Sequence, residues 1–152
     1  MRIKNAQLIQ PLVNVVKMMS KSKIRPVFGL IAKLFNSNEI EKDMCRQFVA
    51  ARGLQMIKKM DLLNQDDSII NLVDVLLIFC QFCRISSQRE YDRQIDELDI
   101  YEDLKRCFVH PEPAVRSKAC NLIGHMSKHS EFFYNRLKTS GIIKLCIECC
   151  RD

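Results

Sequence analysis

The thiols and imidazoles are the residues with the most chemistry to offer. Two Cys-x-x-Cys pairs, Cys80 with Cys83 and Cys146 with Cys149, could complete a tetrahedral zinc site or serve in thiol redox chemistry. Both pairs fall inside apolar helical patterns, without the turn that lets such a pair chelate one ion. Packing as small hydrophobes is therefore the expected use. His125 and His129 stand four residues apart, which puts two imidazoles on one helix face. Met, Ser and Lys lie between them, so the glutamate that would serve a metalloprotease as base is missing. Cys120 and His125 cannot form a local nucleophile dyad, because five residues along a helix leave their side chains about 140° apart. The acidic stretch Asp92 to Asp103 lacks the ligand alternation and central glycine of a calcium loop. No glycine-rich phosphate loop and no kinase catalytic motif occurs. These residues assign no catalytic, cofactor-binding or metal-ligating position, and the expectation is a chain that is not an enzyme and needs no cofactor.

The elements that would carry these residues are helices. The chain has 152 residues, is 47% hydrophobic and 28% charged, and holds only four glycines and four prolines, so one soluble all-α domain is expected. Charge is uneven: residues 1 to 60 hold 12 Lys/Arg against 3 Asp/Glu, and the remainder 12 against 15. Solvated helix faces account for this bias, and without a dense basic cluster no nucleic-acid partner is expected. The opening residues are broken by Asn5, Gln7, Gln10, Pro11 and Asn14 and do not form a signal peptide. The longest apolar run, Val75 to Cys80, is far short of a membrane span, so neither insertion nor a secreted disulfide framework is expected. The reading is a cytoplasmic protein with reduced thiols.

Self-similarity organises the chain further. Three apolar helices, beginning at Lys23, Leu72 and Val115, superpose their stripes. Val27, Phe28, Leu30, Ile31 and Leu34 match Leu76, Leu77, Phe79, Cys80 and Cys83, and then Ala119, Cys120, Leu122, Ile123 and Met126. A second set of helices starts at Gln7, Gly53, Asp99 and Gly141, at intervals of 46, 46 and 42 residues. A period in the forties with two main helices per unit predicts an armadillo/HEAT-like right-handed helical solenoid of about three repeats with incomplete ends. The approximate units are 1–20 (partial), 21–62, 63–108 and 109–152. Pro113 is placed to start the helix that carries Val115. Asn38 and Ser130 are expected N-caps, and Gly53 and Gly141 are expected to make the tight turns before their helices. The polar stretch Arg84 to Asp99 is an extended loop or an expanded short helix, and the expected protease-sensitive point. Because the register begins and stops with a second helix, the chain reads as a piece of a longer solenoid whose neighbouring repeats would cover its ends.

The run from His110 to Asp152 supplies a resemblance. His110, Pro111, Pro113, Val115, Arg116, the segments Lys118 to Cys120 and Leu122 to Gly124, His129, Phe133, Tyr134, Gly141 and Ile142 together resemble an armadillo-type repeat in the C-terminal regulatory region of Fused-type serine/threonine kinases. Related kinases and pseudokinases of the wider group share such arrays, and the first 109 residues resemble only the general helical-repeat pattern. The resemblance implies a non-catalytic regulatory part, with links to Hedgehog signalling, ciliary axonemes or cytokinesis and a ciliary or cytoskeletal location.

A solenoid presents an elongated groove to an extended peptide or partner helix. Comparison with armadillo repeats puts Asn121 and His125 at groove-facing positions, where an asparagine amide can hold a partner's backbone. Arg116, Lys118 and, in the first unit, Lys33 would attract acidic segments. The alternatives are an armadillo/HEAT adaptor unrelated to a kinase, a zinc or redox protein using the Cys-x-x-Cys pairs, and an incomplete chain with no function of its own.

Overall fold

The computed structural model describes residues 7–35, 41–64, 69–85 and 89–149, except for the side chains at positions 41, 42, 69, 70, 85, 89, 90 and 129. Among the described residues there are ten α-helices, two short 3-10 turns and no strand. The helices are α1 (Ile9–Met18), α2 (Arg25–Phe35), α3 (Glu41–Ala50), α4 (Gly53–Lys59) and α5 (Ile69–Ile85). They continue with α6 (Arg89–Glu97), α7 (Tyr101–Phe108), α8 (Pro113–His129), α9 (Glu131–Thr139) and α10 (Ile142–Cys149). The 3-10 turns are Lys21–Lys23 and Leu62–Asn64. Two compact units divide inside α5, the first running through Gln81 and the second starting at Phe82.

In the first unit α1 packs on α2, α3 and α4, and α3 also packs on both α2 and α4. The sequence dictates this through spacing: Ile9, Val13 and Val16 form one buried stripe of α1, as Phe28, Ile31, Ala32 and Phe35 do on α2. Leu30 leaves the expected stripe and is exposed, because the buried face of α2 turns toward Ala32 and Phe35. Phe35 and Phe48 meet edge to face, with ring centroids 5.5 Å apart. Gly53 is required here, but not for the expected reason. The left-handed residue before α4 is Arg52, at φ 56°, whereas a Cβ on Gly53 would stand 2.5 Å from the Phe48 ring. It is close packing, and not backbone freedom, that asks for glycine at this position.

In the second unit α8 packs on α7 and α9, α10 on α7 and α9, and α6 on α9. The polar stretch after Arg84 contains the nine-residue helix α6, whose Tyr91 and Ile95, continued by Leu98, bury one side of a segment otherwise rich in charge. Phe82 and Tyr91 stack edge to face at 5.6 Å. Pro113 occupies the first turn of α8 as expected, where its missing N–H leaves no gap in the helix ladder. Val115, Ala119, Leu122, Ile123 and Met126 are buried, but Cys120, assigned to the same packing stripe, is exposed.

Ser130 does hold the N-cap position of α9, yet its hydroxyl makes no cap and donates instead to Asp92 Oδ2 at 2.6 Å. Gly141 takes a φ of 83°, which only glycine adopts at no steric cost. Asn38, the other expected cap, lies outside the described residues. No described helix is long and apolar enough to cross a membrane.

Candidate functional site

The longest run of candidate residues lies on α8. Lys118, Asn121 and His125 follow i, i+3, i+7 spacing and therefore share one face of that helix, away from the Val115–Ala119–Leu122 stripe. Asn121 is exposed, and Lys118 and His125 are half-buried. The face offers an ammonium, an amide with both donor and acceptor, and an imidazole within two helical turns. Such a set can hold backbone and carboxylate groups of a partner; it contains no nucleophile and base pair.

Arg116 is not part of that face, since two residues correspond to about 200° of rotation. Its Nη1 donates to the carbonyls of His110 at 2.8 Å and Pro111 at 2.6 Å, and His110 Nδ1 accepts the Glu112 N–H at 3.1 Å. The guanidinium thus braces the turn that leads into α8. It also lines a surface cavity of about 400 Å³ with Phe108, Val109, Cys120 and Cys149. Lys33 belongs to the first unit, exposed on α2. Its charge acts on Asp74, a residue of α5 whose side-chain oxygen lies 3.7 Å from where a Cβ on Gly29 would stand. Burial raises the Asp74 pKa, while Arg25 and then Lys33 pull it back.

The thiols divide by environment. Cys45, Cys80, Cys83 and Cys107 are buried, Cys146 is half-buried, and Cys120 and Cys149 are exposed. Burial inside α5 fits the packing use expected of Cys80 and Cys83; the exposure of Cys149 departs from it. Among the described residues no group of three or more His, Cys, Asp or Glu could hold a metal ion. The carboxylates of the Asp92–Asp103 stretch are engaged within the protein: Asp92 with Ser130, Asp96 with Tyr101 and Arg136, and Asp103 with Arg106.

Pattern reading missed two further constellations. One is the Asp96, Tyr101 and Arg136 cluster joining α6, α7 and α9. The other is a cavity of about 500 Å³ in the first unit, lined by lysines and methionines. The basic excess of the first 60 residues was the only signal of the second, and it did not say where the charges converge.

No family model matches the chain, and no solved structure matches it significantly. The chain is similar to a serine/threonine-protein kinase, and the particular relative is serine/threonine-protein kinase TIO of Arabidopsis thaliana. The two are 30% identical over 113 residues, which is 74% of this chain and 8% of that protein. The similarity is thus longer than the segment from His110 to Asp152 on which the family resemblance was built.

Proposed function

We propose that the chain is a non-catalytic protein-interaction scaffold, the armadillo-type regulatory part of a Fused-type kinase. The observation that carries this reading is the similarity to a serine/threonine-protein kinase over 74% of the chain, which amounts to 8% of that kinase, while this chain's own sequence carries no kinase catalytic motif. The all-helical architecture and the polar face of α8 support it. In this reading the helices stack with neighbouring repeats into a solenoid, and an extended peptide or helix of a partner lies across Lys118, Asn121 and His125. Arg116 contributes by holding the turn at the start of that helix, and Lys33 by its charge on the first unit. A role in signalling, axoneme assembly or cytokinesis, in the cytoplasm or at the cilium, belongs to the same proposal.

The test is capture of partners from cell extract by the immobilised chain, compared quantitatively with the Asn121→Ala and His125→Ala variants. A partner that is enriched by the native chain and lost with both variants is the expected result. An unchanged capture profile overturns the α8 site, and phosphoryl transfer by the purified chain with ATP and a generic protein substrate overturns the non-catalytic reading.

A further inference from the structure

The first unit carries a second feature built for recognition. Its cavity of about 500 Å³ draws Lys17 and Met19 from the end of α1, Lys21 from the 3-10 turn, and Met56, Lys59 and Met60 from α4 and its C-terminus. Met56 is buried and Met19 and Met60 are half-buried, whereas all three lysines are exposed. The result is an apolar, polarizable floor beneath an ammonium rim. Lys17 Nζ donates to the carbonyl of Ala51 at 3.3 Å, which holds one corner of that rim against the turn before α4. Among the described residues no carboxylate pairs with Lys17, Lys21 or Lys59, and no acidic residue lines the cavity.

Three exposed ammonium groups around an apolar recess are complementary to a ligand that supplies carboxylates while its apolar part covers the methionines. We propose that this cavity docks an acidic amphipathic segment of a protein partner. One large apolar side chain of that segment seats on Met19, Met56 and Met60, and its flanking carboxylates meet Lys17, Lys21 and Lys59. The lining methionines are buried or half-buried while the lysines are exposed, so a protruding side chain of a peptide can reach the methionines between the ammonium groups. Met18 beside them is 87% exposed, and co-sedimentation with vesicles separates a peptide from a membrane surface. Single-stranded nucleic acid is held by stacking on aromatic side chains, and none lines this cavity. Methionine adapts to several side-chain shapes, so the site recognises a class of acidic segments more than one sequence.

The probe is a short fluorescein-labelled peptide with one phenylalanine among glutamates and aspartates, titrated with the 152-residue chain by fluorescence anisotropy. Saturable binding that weakens as salt rises is expected. Lys17→Glu combined with Lys59→Glu should weaken it at least about ten-fold, Met60→Gln should weaken it as well, and the arginine versions of the two lysines should retain it. The lysines are exposed, so unchanged circular dichroism and melting will show that the reversed variant is folded. Asn121→Ala should leave the peptide affinity unchanged, which separates this site from the α8 face. Equal binding by the native and charge-reversed chains overturns the proposal, as does equal binding of a peptide with serine in place of the phenylalanine. Co-sedimentation of the chain with phosphatidylserine vesicles that the peptide does not displace, together with no peptide binding, overturns it in favour of a membrane surface.

Discussion

Asp96 Oδ1 receives the Nε–H of Arg136 at 2.7 Å across 40 residues of chain. The same oxygen accepts the Tyr101 hydroxyl at 2.7 Å, and the Arg136 guanidinium lies 5.3 Å from the centre of the Tyr101 ring. One carboxylate thereby ties α6, α7 and α9 together. Burial first, and then the bond to Asp96, raise the Tyr101 pKa far above the usual phenol value, so the hydroxyl keeps its proton and remains a donor where a free phenol would ionise. Tyr101→Phe removes one part-buried hydrogen bond and should cost about 0.5–1.5 kcal/mol in urea unfolding. Asp96→Ala should cost more, because it removes the acceptor shared by two donors. Equal stability of the two variants would mean that the arginine contact contributes nothing.

Ser130 offers a separate test of how polar groups are used in the second unit. Asp92 is only 4% exposed, its Oδ2 is held by the Ser130 hydroxyl, and its Oδ1 has no hydrogen-bond partner among the described residues. Ser130→Ala leaves a buried carboxylate without its donor and should destabilise by about 1–3 kcal/mol. Asp92→Asn made together with it should recover part of the loss, measured by the same unfolding curve.

Two glycines should respond to alanine with opposite signs. Gly53→Ala drives a methyl group into the buried Phe48 ring, itself packed on Phe35, and overpacking of this kind costs about 1–3 kcal/mol. Gly124 sits within α8 with nothing within 4 Å of the added carbon, so Gly124→Ala should stabilise by about 1 kcal/mol through helix propensity alone. Thermal melts of the two variants should move in opposite directions.

Thiol reactivity should follow burial. Brief treatment of the native chain with a maleimide should modify Cys120 and Cys149 and spare Cys45, Cys80, Cys83 and Cys107, as read by peptide mass spectrometry. Modification of Cys80 and Cys83 as fast as Cys120 would contradict their place in the core.

Cys107 also makes the protein sensitive to alkali. Burial, and secondarily the charge of Asp103, push its thiol from 9.0 to about 11, with Arg106 opposing. Between those values the unfolded chain releases the proton and the folded chain keeps it. Stability from this group is therefore complete below about pH 9 and falls as pH rises toward 11. Cys107→Ala should flatten that alkaline part of the stability curve while lowering stability slightly at neutral pH.

The helices themselves were legible because their cause is local. Pro113 announced the start of α8, Gly141 the turn before α10, and the stripes through Phe28, Phe79 and Leu122 the faces that are buried. Asn121 and His125 were singled out by comparison with armadillo repeats and Lys118 by its charge; that the three share one face of α8 follows from the bounds of that helix. Ser130 shows where local reading stops. Its position before α9 was right, but its hydroxyl had a choice between the helix N–H groups and a carboxylate 38 residues earlier, and only the packed unit decides between them. Gly53 is similar, since its turn could be read and its contact with Phe48 could not.

What the sequence by itself determined is an all-helical chain with a basic first part and no catalytic motif, because composition and the 3.6-residue period act within single helices. The tertiary structure decided the rest. It exposed Cys120, turned Arg116 onto the loop carbonyls of His110 and Pro111, joined Asp96 to Arg136, and gathered Lys17, Lys21 and Lys59 over a methionine floor. The physical reason is that these last two meetings bring together residues tens of positions apart. Hydrophobic periodicity sets which side of a helix is buried, but it does not set which neighbour that helix meets or at what rotation.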